Sequence, residues 1–227
     1  MEPEIENVFS EGVRKLYHFT SADHALDDLR NRRLKIAQFD DLNDPFELRS
    51  VDLSGAGHAA ALDQFKAETA RDYGLLCFSE EWNNILLWSH YADQHRGVCL
   101  GFDVSGSSDS FGHVEYTPNR MPFPKTLDQF FMWDLLRTKF KRWEYEKEWR
   151  VFTRLEDGKW NECAGRLLYF LDFSRDLVLR EVILGVGSKV LPCEVREAVR
   201  DYPDRKGIEI RRVRLSAAAF ELNAMTV

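Results

Sequence analysis

The chain has 227 residues, of which 44% are hydrophobic and 30% are charged, a composition typical of a folded, water-soluble protein. It excludes disordered, collagen-like, coiled-coil and low-complexity chains. The 31 basic residues stand against 38 acidic ones, so a formal charge of -7 gives no overall attraction to nucleic acid or anionic membranes. No Pro/Gly/Ser-rich linker divides the sequence. We therefore expect a single domain over residues 1–227, with a structured core from about 15 to 215.

The sequence shows no signal for a membrane or for export. No apolar run approaches the roughly 20 residues that span a bilayer. The first residues, MEPEIENVFSEGVRK, are acidic where a secretory signal would be basic and then apolar, so we expect a cytoplasmic protein without a membrane partner. The cysteines lie far apart, without C-x-x-C spacing or a nearby histidine, and predict reduced thiols and no metal site: Cys77, Cys99, Cys163 and Cys193.

Strands and helices follow one another in the first half of the chain. A strand over 15–19 precedes a capping-box pattern from Thr20 to Asp23, which predicts the start of a helix. The segment NDPFE predicts a sharp turn, because Pro45 restricts the backbone of the residue before it. The other elements predicted here are a strand over 33–39, a helix over 59–73, a strand over 74–81, a helix over 83–97 and a strand over 98–104.

The second half opens with a Ser- and Gly-rich loop over 105–112. Thr126, with Gln129 three residues later, predicts the cap of an amphipathic helix that runs to Lys141. From Trp143 the pattern has a period of two, which predicts a strand. The remaining predictions are strands over 112–118, 167–171, 181–186 and 208–215 and a helix over 191–199. Because these elements do not alternate strictly, we predict an α+β fold with mixed, mostly antiparallel sheets and flanking helices.

The segment EKEWR offers the most informative group of charges. On a strand, Glu146 and Glu148 project from the same face, close enough for both carboxylates to reach one ligand. Crowded carboxylates beside aromatic residues are a setting in which one pKa rises or one carboxylate binds a cation. The alternative is that either glutamate simply pairs with Arg150 on the same face, and spacing does not decide between the two.

A histidine inside the first strand is the next candidate. His18 stands between Tyr17 and Phe19, where a polar ring needs a hydrogen-bonding partner. A structural histidine bonded to a backbone carbonyl explains the position as well as a ligand-binding one does.

Two further groups of side chains are candidates for ligand contact. Trp88, Tyr91 and His95 fall on one face of the predicted helix 83–97, although most such stripes pack in a core. Asn43, at the predicted turn, is a candidate ligand-binding residue, although side chains before proline often bond their own backbone.

The sequence lacks several motifs that would assign a known chemistry. There is no G-x-x-x-x-G-K-[ST] loop, no G-x-G-x-x-G after a strand, no G-x-S-x-G elbow and no H-E-x-x-H, so P-loop, Rossmann, α/β-hydrolase and zincin chemistry have no support. Basic clusters over 137–150 and 205–214 are candidates for phosphate contact, and solvated surface is the alternative.

Several motifs in a fixed order carry a resemblance to a known family. The strings LYHFT, NDPFE, CFSEE, LLWSHYADQHRGVCLGFD and YEKEWRVF resemble an uncharacterised, mainly bacterial family, domain of unknown function 2971. The resemblance extends from about Leu16 to Arg212. The family brings no activity with it.

The order of features is also similar to that of the ADP-ribosyltransferase superfamily. That superfamily has a first strand with a polar His or Arg, then a strand and helix that offer Ser or Tyr, then a strand opened by a catalytic Glu, often as E-x-E. The resemblance implies an ADP-ribosyltransferase-like core, NAD as co-substrate, and a macromolecular acceptor of unknown kind. It implies catalytic roles for Glu148 and Glu146 and cofactor-binding roles for His18, Thr20, Ser79, Tyr91 and Asn43.

The residues named above suit the chemistry that the resemblance implies. Cleavage of the ribose–nicotinamide bond creates an oxocarbenium-like centre and a neutral leaving group, so one fixed carboxylate, Glu148, suffices for electrostatic stabilisation. Glu146 would then orient or deprotonate the attacking group. Attack by water makes an NAD glycohydrolase, and attack by another nucleophile makes a transferase, a candidate toxin or defence effector.

Two alternatives from other classes stay open. In a ligand-sensing or protein-interaction module, Glu146, Glu148 and Arg150 would form a closed ion-pair network, with no cavity reaching His18. A nucleic-acid-acting enzyme would need the two basic clusters to converge beside the carboxylates.

Overall fold

The computed structural model describes residues 12–106 and 110–227. The acidic first residues and the centre of the predicted 105–112 loop therefore lie outside the described residues. Within the described residues the helices are α1 (Ala22–Asn31), α2 (His58–Thr69), α3 (Ile85–Tyr91), α4 (Gln129–Leu136) and α5 (Pro192–Ala198). The strands there are β1 (Arg14–Thr20), β2 (Arg33–Ile36), β3 (Tyr73–Ser79), β4 (Val98–Val104), β5 (Phe111–His113), β6 (Glu115–Thr117), β7 (Thr138–Phe140), β8 (Glu148–Arg154), β9 (Lys159–Cys163), β10 (Arg166–Asp172), β11 (Leu177–Leu184), β12 (Glu209–Leu215) and β13 (Leu222–Thr226).

The strands form one large sheet and two small ones. The large sheet has the order β13-β12-β11-β4-β1-β3-β8-β5, and its neighbours are antiparallel except for β11 and β12. A second sheet has the order β2-β10-β9, and β6 pairs with β7 in parallel. These sheets and the flanking helices confirm the predicted mixed, mostly antiparallel α+β fold.

The central strands β1, β4 and β11 are buried on both faces, and their alternate side chains enter different cores. Leu16, Leu100 and Leu184 face a core that also contains Ala25 and Leu29 of α1. On the other face, Tyr17, Cys99 and Ile183 pack with Trp88 of α3. A third core joins α2 and α4 to the β3 side of the sheet through Leu62, Leu135 and Leu75. Helices on both faces therefore hold the central strands in place.

The first helix begins one residue later than the capping pattern predicted. Ser21 is the N-cap, and its side chain accepts a hydrogen bond from the backbone N–H of His24 at 3.3 Å. Thr20 instead ends β1, where it pairs with Val98 of β4. The helix ends at Arg32, whose left-handed backbone (φ 53°) turns the chain into β2.

The predicted helix over 83–97 is much shorter in the structure. Asn84 caps α3 by accepting from Leu86 N–H at 3.0 Å, but the helix ends at Tyr91 and residues 93–95 have positive φ angles. His95 is therefore not on the helical face that was predicted to include Trp88 and Tyr91. The turn ends at Gly97, where a Cβ would lie 2.2 Å from the Thr20 carbonyl oxygen, so only glycine fits against β1.

The predicted helix over 126–141 and the strand from Trp143 are also wrong in extent. Helix α4 begins after Asp128, whose side chain accepts from Phe131 N–H at 3.0 Å, and it ends at Leu136. The short strand β7 and a 3-10 helix, Lys141–Glu146, follow. Strand β8 begins only at Glu148, because the left-handed backbone of Lys147 (φ 44°) ends the 3-10 helix.

Other boundaries differ by smaller amounts. Helix α2 stops at Thr69 instead of residue 73, since Tyr73 already begins β3 and pairs with Arg154 of β8. The predicted strand over 112–118 is divided into β5 and β6, and β7, β9 and β13 had no counterpart among the predictions.

Candidate active site

The edge of β3 that faces β1 lacks a continuous partner. Strands β1 and β3 pair only at Tyr17 and Ser79, and Leu75, four residues earlier on β3, pairs with Ala37 instead. Between these two pairs, the Cys77 carbonyl oxygen accepts a hydrogen bond from Nδ1 of the His18 side chain at 3.0 Å. The His18 ring thus occupies the gap where the two strands separate.

A cavity of about 270 Å³ opens at this gap. It is lined by six of the seven residues to which the resemblance assigns a role: His18, Asn43, Ser79, Tyr91, Glu146 and Glu148. The seventh, Thr20, is buried at the end of β1 and does not line the cavity. Three neighbouring strands, two helical segments and the turn at Asn43 therefore bring these side chains together.

His18 presents a hydrogen-bond acceptor to the cavity. Because a carbonyl oxygen can only accept, the proton of the neutral ring is on Nδ1 and Nε2 carries a lone pair. Burial lowers the pKa of His18 below its ordinary value, and the hydrogen bond to Cys77 opposes this effect only in part. Nε2 has no hydrogen bond to any described residue. A neutral imidazole with a free acceptor is suited to bind a ligand hydroxyl group.

Lys139, from β7, joins three carboxylates beside the cavity. Its Nζ lies 2.6 Å from Glu146 Oε2, 3.1 Å from Glu148 Oε2 and 3.6 Å from Glu47 Oε2. Burial alone would lower the pKa of Lys139, but the three carboxylates outweigh burial and raise it. Lys139 is therefore a permanent cation rather than a nucleophile.

Arg150, from β8, completes this buried ion cluster. Its Nε and Nη2 donate to the two oxygens of Glu148 at 2.9 and 3.0 Å, and Nη1 donates to the Leu136 carbonyl at 2.5 Å. Nη1 also lies 2.9 Å from Glu47 Oε1. None of the five side chains is more than 8% exposed. The site cluster, defined as Glu47, Lys139, Glu146, Glu148 and Arg150, thus has three acids against two bases.

The two glutamates of the cavity have opposite pKa shifts. Burial would raise the pKa of Glu148, but Arg150 and Lys139 outweigh it and lower the pKa to about 2. Burial raises the pKa of Glu146, and the nearby charge of Glu148 adds to this, although Lys139 opposes it. Paired carboxyl groups whose pKa values are driven apart are suited to separate acid–base and electrostatic roles.

Tyr91 binds Glu146, and Asn43 binds the hydroxyl of Tyr91. The Tyr91 hydroxyl donates to Glu146 Oε1 at 2.5 Å and accepts from Asn43 Nδ2 at 3.3 Å. Burial and the Glu146 charge raise the pKa of Tyr91. The Asn43 side chain is therefore used in the site, whereas its neighbour Asp44 follows the alternative interpretation of the turn and accepts from Phe46 N–H at 2.9 Å.

Ser79 holds the chain that carries Glu146. Its Oγ donates to the Glu146 carbonyl at 2.6 Å and accepts from Glu81 N–H at 3.2 Å. Asn84 acts similarly, since its Nδ2 donates to the Tyr145 carbonyl at 2.8 Å. Both residues position the 3-10 helix over the cavity.

The backbone arrangement that brings Glu146 and Glu148 together differs from the predicted one. They do not share a strand face, because Glu146 ends the 3-10 helix and Glu148 begins β8. The left-handed turn at Lys147 lets both carboxylates reach Lys139. The alternative pairing with Arg150 is also present, for Glu148.

Sequence reasoning missed three residues of the site. Glu47 is the last residue of the NDPFE segment, whose pattern predicts only a turn, and Lys139 belongs to the basic cluster over 137–150 although it is buried. The Tyr116 hydroxyl accepts from the Glu148 N–H at 2.8 Å. The pattern T-K-F at 138–140, with a lysine between two residues of a short strand, was the available signal for an inward-facing cation.

The two basic clusters do not form one face beside the carboxylates. Lys139 and Arg150 are buried in the site cluster, and the 205–214 cluster leads into β12, five strands away from β8 in the sheet. The two clusters therefore do not converge beside the carboxylates, as a nucleic-acid-acting enzyme would require.

The described residues contain no candidate for a metal site or a membrane span. Among residues 12–106 and 110–227, no three His, Cys, Asp or Glu side chains are grouped as they would be to hold a metal ion, and the four cysteines are free. In the same part of the chain, no helix combines the length and apolar character needed to cross a bilayer.

Comparison with known proteins gives one match. Residues 87–125, from α3 through β6, match the model of a family described as a protein of unknown function (DUF2971). This match supports an uncharacterised domain family, in line with the resemblance noted in the sequence. No curated protein and no solved structure matches the chain.

Proposed function

We propose that the chain binds NAD at this cavity and cleaves the bond between ribose and nicotinamide. The observation that carries the proposal is the convergence of His18, Tyr91, Glu146 and Glu148 on one cavity of about 270 Å³. These residues come from two strands and two helical segments, so their meeting is a property of the fold rather than of sequence proximity.

The cavity suits one half of the dinucleotide. Its volume lies just below the range of about 300–1,000 Å³ that is typical of pockets for whole drug-sized ligands. The nicotinamide and its ribose would fill it. At its mouth, His90 is 6.4 Å from both Trp143 and Tyr145 between ring centroids, and this aromatic group provides a surface for the remainder of the molecule.

Glu148 supplies the fixed negative charge. As the bond to nicotinamide lengthens, positive charge develops on the ribose ring, and a preorganised carboxylate nearby stabilises that charge most. Arg150 and Lys139 keep Glu148 ionised and immobile. Glu148 also lines the cavity, so its charge lies beside the position that the ribose would occupy.

His18 and Glu146 complete the proposed chemistry. Nε2 of His18 accepts a hydrogen bond from a ribose hydroxyl, which fixes the sugar against β1. The raised pKa of Glu146 makes its carboxylate a stronger base than an ordinary glutamate. Nicotinamide leaves as a neutral ring with the electron pair of the broken bond, water adds to the ribose carbon, and the proton of that water passes to Glu146.

The test measures nicotinamide released from NAD by the purified protein. Glu148→Gln is a poor single variant, because it removes the carboxylate that pairs with both buried cations and is expected to destabilise the fold. Glu146→Gln is better, since Lys139 and Arg150 each keep their contacts with Glu47 and Glu148, and we expect it to lower turnover by about 10²–10⁴. Glu148→Asp keeps the charge but withdraws it by one methylene group, and should also lower turnover.

Glu156→Gln is the matched control, because this carboxylate is 71% exposed and pairs only with Arg154. Thermal melting of every variant shows whether the fold is kept. Release by wild type and by the control, lost in both site variants, supports the proposal. No release and no NAD binding by a folded wild-type protein would sink it.

One observation favours a second candidate function, a ligand-binding module without turnover. Glu148 already receives three hydrogen bonds from Arg150 and Lys139, as a closed ion-pair network would require. The cavity reaching His18 was not expected of such a module, but it suits a sensor that binds a nucleotide. Saturable NAD binding by calorimetry with no nicotinamide release would select this function.

A further inference from the structure

A second cavity lies behind one wall of the candidate active site. That wall consists of two short segments whose neighbouring residues face opposite ways: Glu47 and Lys139 line the first cavity, whereas Phe46 and Phe140 line the second. The second cavity has a volume of about 190 Å³. This is room for one planar group rather than for a whole drug-sized ligand.

Exposed aromatic rings flank this cavity. Phe46 is 58% exposed and Phe140 is 42% exposed, although both side chains adjoin well-packed residues. Aromatic side chains carry a large apolar surface, and a pair of them at the rim of a cavity is typical of a binding surface rather than of a folded core.

The lining of the second cavity carries positive charge in an acidic protein. Arg49 and Arg120 belong to it, and no carboxylate does. Nη1 of Arg49 donates to Asp63 at 2.6 Å and Nη1 of Arg120 donates to the Val51 carbonyl at 3.0 Å, which leaves several of the five N–H groups of each guanidinium for a ligand. The cavity is therefore complementary to an anion.

Polar residues also line this cavity. The Ser50 Oγ is buried and has no hydrogen-bond partner, and Asn119 also belongs to the lining. A buried hydroxyl without a partner costs free energy unless a ligand satisfies it.

We propose that this second cavity binds one nucleotide of a single-stranded nucleic acid. The Arg120 guanidinium carbon lies 5.6 Å from the centroid of the Phe46 ring, so the base stacks on Phe140 and on the other face of Phe46. The adjacent phosphate contacts Arg49 and Arg120, and Ser50 meets the polar edge of the base. These contacts require a ligand in which an aromatic ring lies next to an anion. A nucleotide has both groups, whereas an aromatic side chain of a protein partner has only the ring. The proposal does not depend on NAD chemistry, because none of these residues lines the candidate active site.

The experiment measures fluorescence anisotropy of a short labelled single strand, as DNA and as RNA, titrated with the full chain. Phe46→Ala and Phe140→Ala should each weaken binding at least about fivefold, the loss expected for one stacking contact. Arg120→Gln keeps a donor for the Val51 carbonyl and should reduce the salt dependence of binding by about one phosphate contact.

Matched controls come from elsewhere on the surface. Phe220 and Arg175 are fully or almost fully exposed and lie outside the cavity, so Phe220→Ala and Arg175→Gln should bind like wild type. Nicotinamide release, where it occurs, should be the same in Phe46→Ala as in wild type. A failure of strand binding is thus separate from a failure of the proposed function.

Several outcomes would overturn the proposal. One is the absence of saturable binding by a folded protein, and another is binding that both phenylalanine variants retain in full. Equal binding of an abasic strand or of inorganic polyphosphate would show attraction to phosphate alone. Displacement of the strand by an equal concentration of an acidic, phenylalanine-containing peptide would assign the cavity to a protein partner.

Discussion

Two of the groups of ion pairs on the large sheet are built on opposite principles. In the site cluster, every side chain is almost fully buried. The second group, here called the Glu181 cluster, consists of Glu181 of β11 with Lys15 and Arg211. Glu181 is buried, but Lys15 is 47% exposed and Arg211 is 20% exposed, so its cations keep contact with water.

The difference shows what the fold gains from each group. The Glu181 cluster neutralises one buried carboxylate with cations that remain partly hydrated. Removing its charges from water therefore costs little free energy that other interactions must offset. The site cluster removes five charged groups from water, and only their mutual pairing offsets that cost. Similar stability could come from apolar residues, so a buried network beside a cavity indicates a functional use of the charges.

The largest expected effect comes from removing the arginine of the site cluster. Arg150→Gln leaves Glu148 and Glu47 without their closest cation and should lower the free energy of unfolding by about 3–5 kcal/mol. Arg211→Gln removes a 3.4 Å contact to Glu181 and a stacking contact with Trp82, and should cost about 1 kcal/mol. Urea denaturation of both variants measures the difference, and equal losses would remove the distinction between the clusters.

Acid should weaken the site cluster in a defined pH range. The pKa of Glu148 in the folded protein is about 2 and its ordinary value is 4.5, so the unfolded chain binds the proton first as the pH falls. The stabilisation from this carboxylate is complete above pH 4.5 and is lost between pH 4.5 and about 2. Its full value is about 3 kcal/mol.

A charge-balanced double variant isolates this contribution. Glu148→Gln combined with Arg150→Gln removes one acid and one base, so the remaining cluster keeps its net charge. Between pH 6 and pH 3, the wild type should therefore lose more unfolding free energy than the double variant. Parallel losses in the two proteins would mean that Glu148 is not the group that titrates.

The sequence was sufficient for the parts of the site that depend on local patterns. The central strands β1 and β4 and the start of α3 follow from runs of apolar residues and from caps such as Asn84. Because His18 interrupts the first of these strands, its need for a partner could be inferred without the structure. Six of the residues that were chosen from the order of the motifs line one cavity.

The remaining parts depend on contacts between distant segments. Lys139 and Glu47 meet only through the packing of β7 against the turn at residue 45, and no periodicity in either segment shows that contact. The run from Trp143 has a period of two by chance, because the left-handed residue Lys147 divides it into a 3-10 helix and a strand. Non-glycine residues adopt that conformation too rarely for sequence patterns to predict it.

A single hydrogen bond gives a smaller test of how the site cluster is held. Ser79→Ala leaves the buried Glu146 carbonyl without its 2.6 Å donor and should cost about 1–2 kcal/mol. The matched control is Ser105→Ala, whose exposed Oγ donates to Asp176 at 2.8 Å, and it should change stability by less than about 0.5 kcal/mol. If Ser79 also positions Glu146, nicotinamide release should fall in its variant and not in the control. A Ser79→Ala protein as stable as the control would show that the site keeps its geometry without this contact.

The smallest effect is expected at the hydrated edge of the Glu181 cluster. Lys15→Gln removes a half-exposed cation from Glu181, and an ion pair of this kind contributes at most about 1 kcal/mol. Salt screens exposed charges within about 3 Å at 1 M ionic strength, so the difference between Lys15→Gln and wild type should disappear there. The loss in Arg150→Gln should persist at the same salt concentration, because water and ions do not reach a side chain that is 1% exposed. If the stability difference between Lys15→Gln and wild type persists at high salt, the Glu181 cluster is as shielded from solvent as the site cluster. The two groups of ion pairs would then differ only in composition.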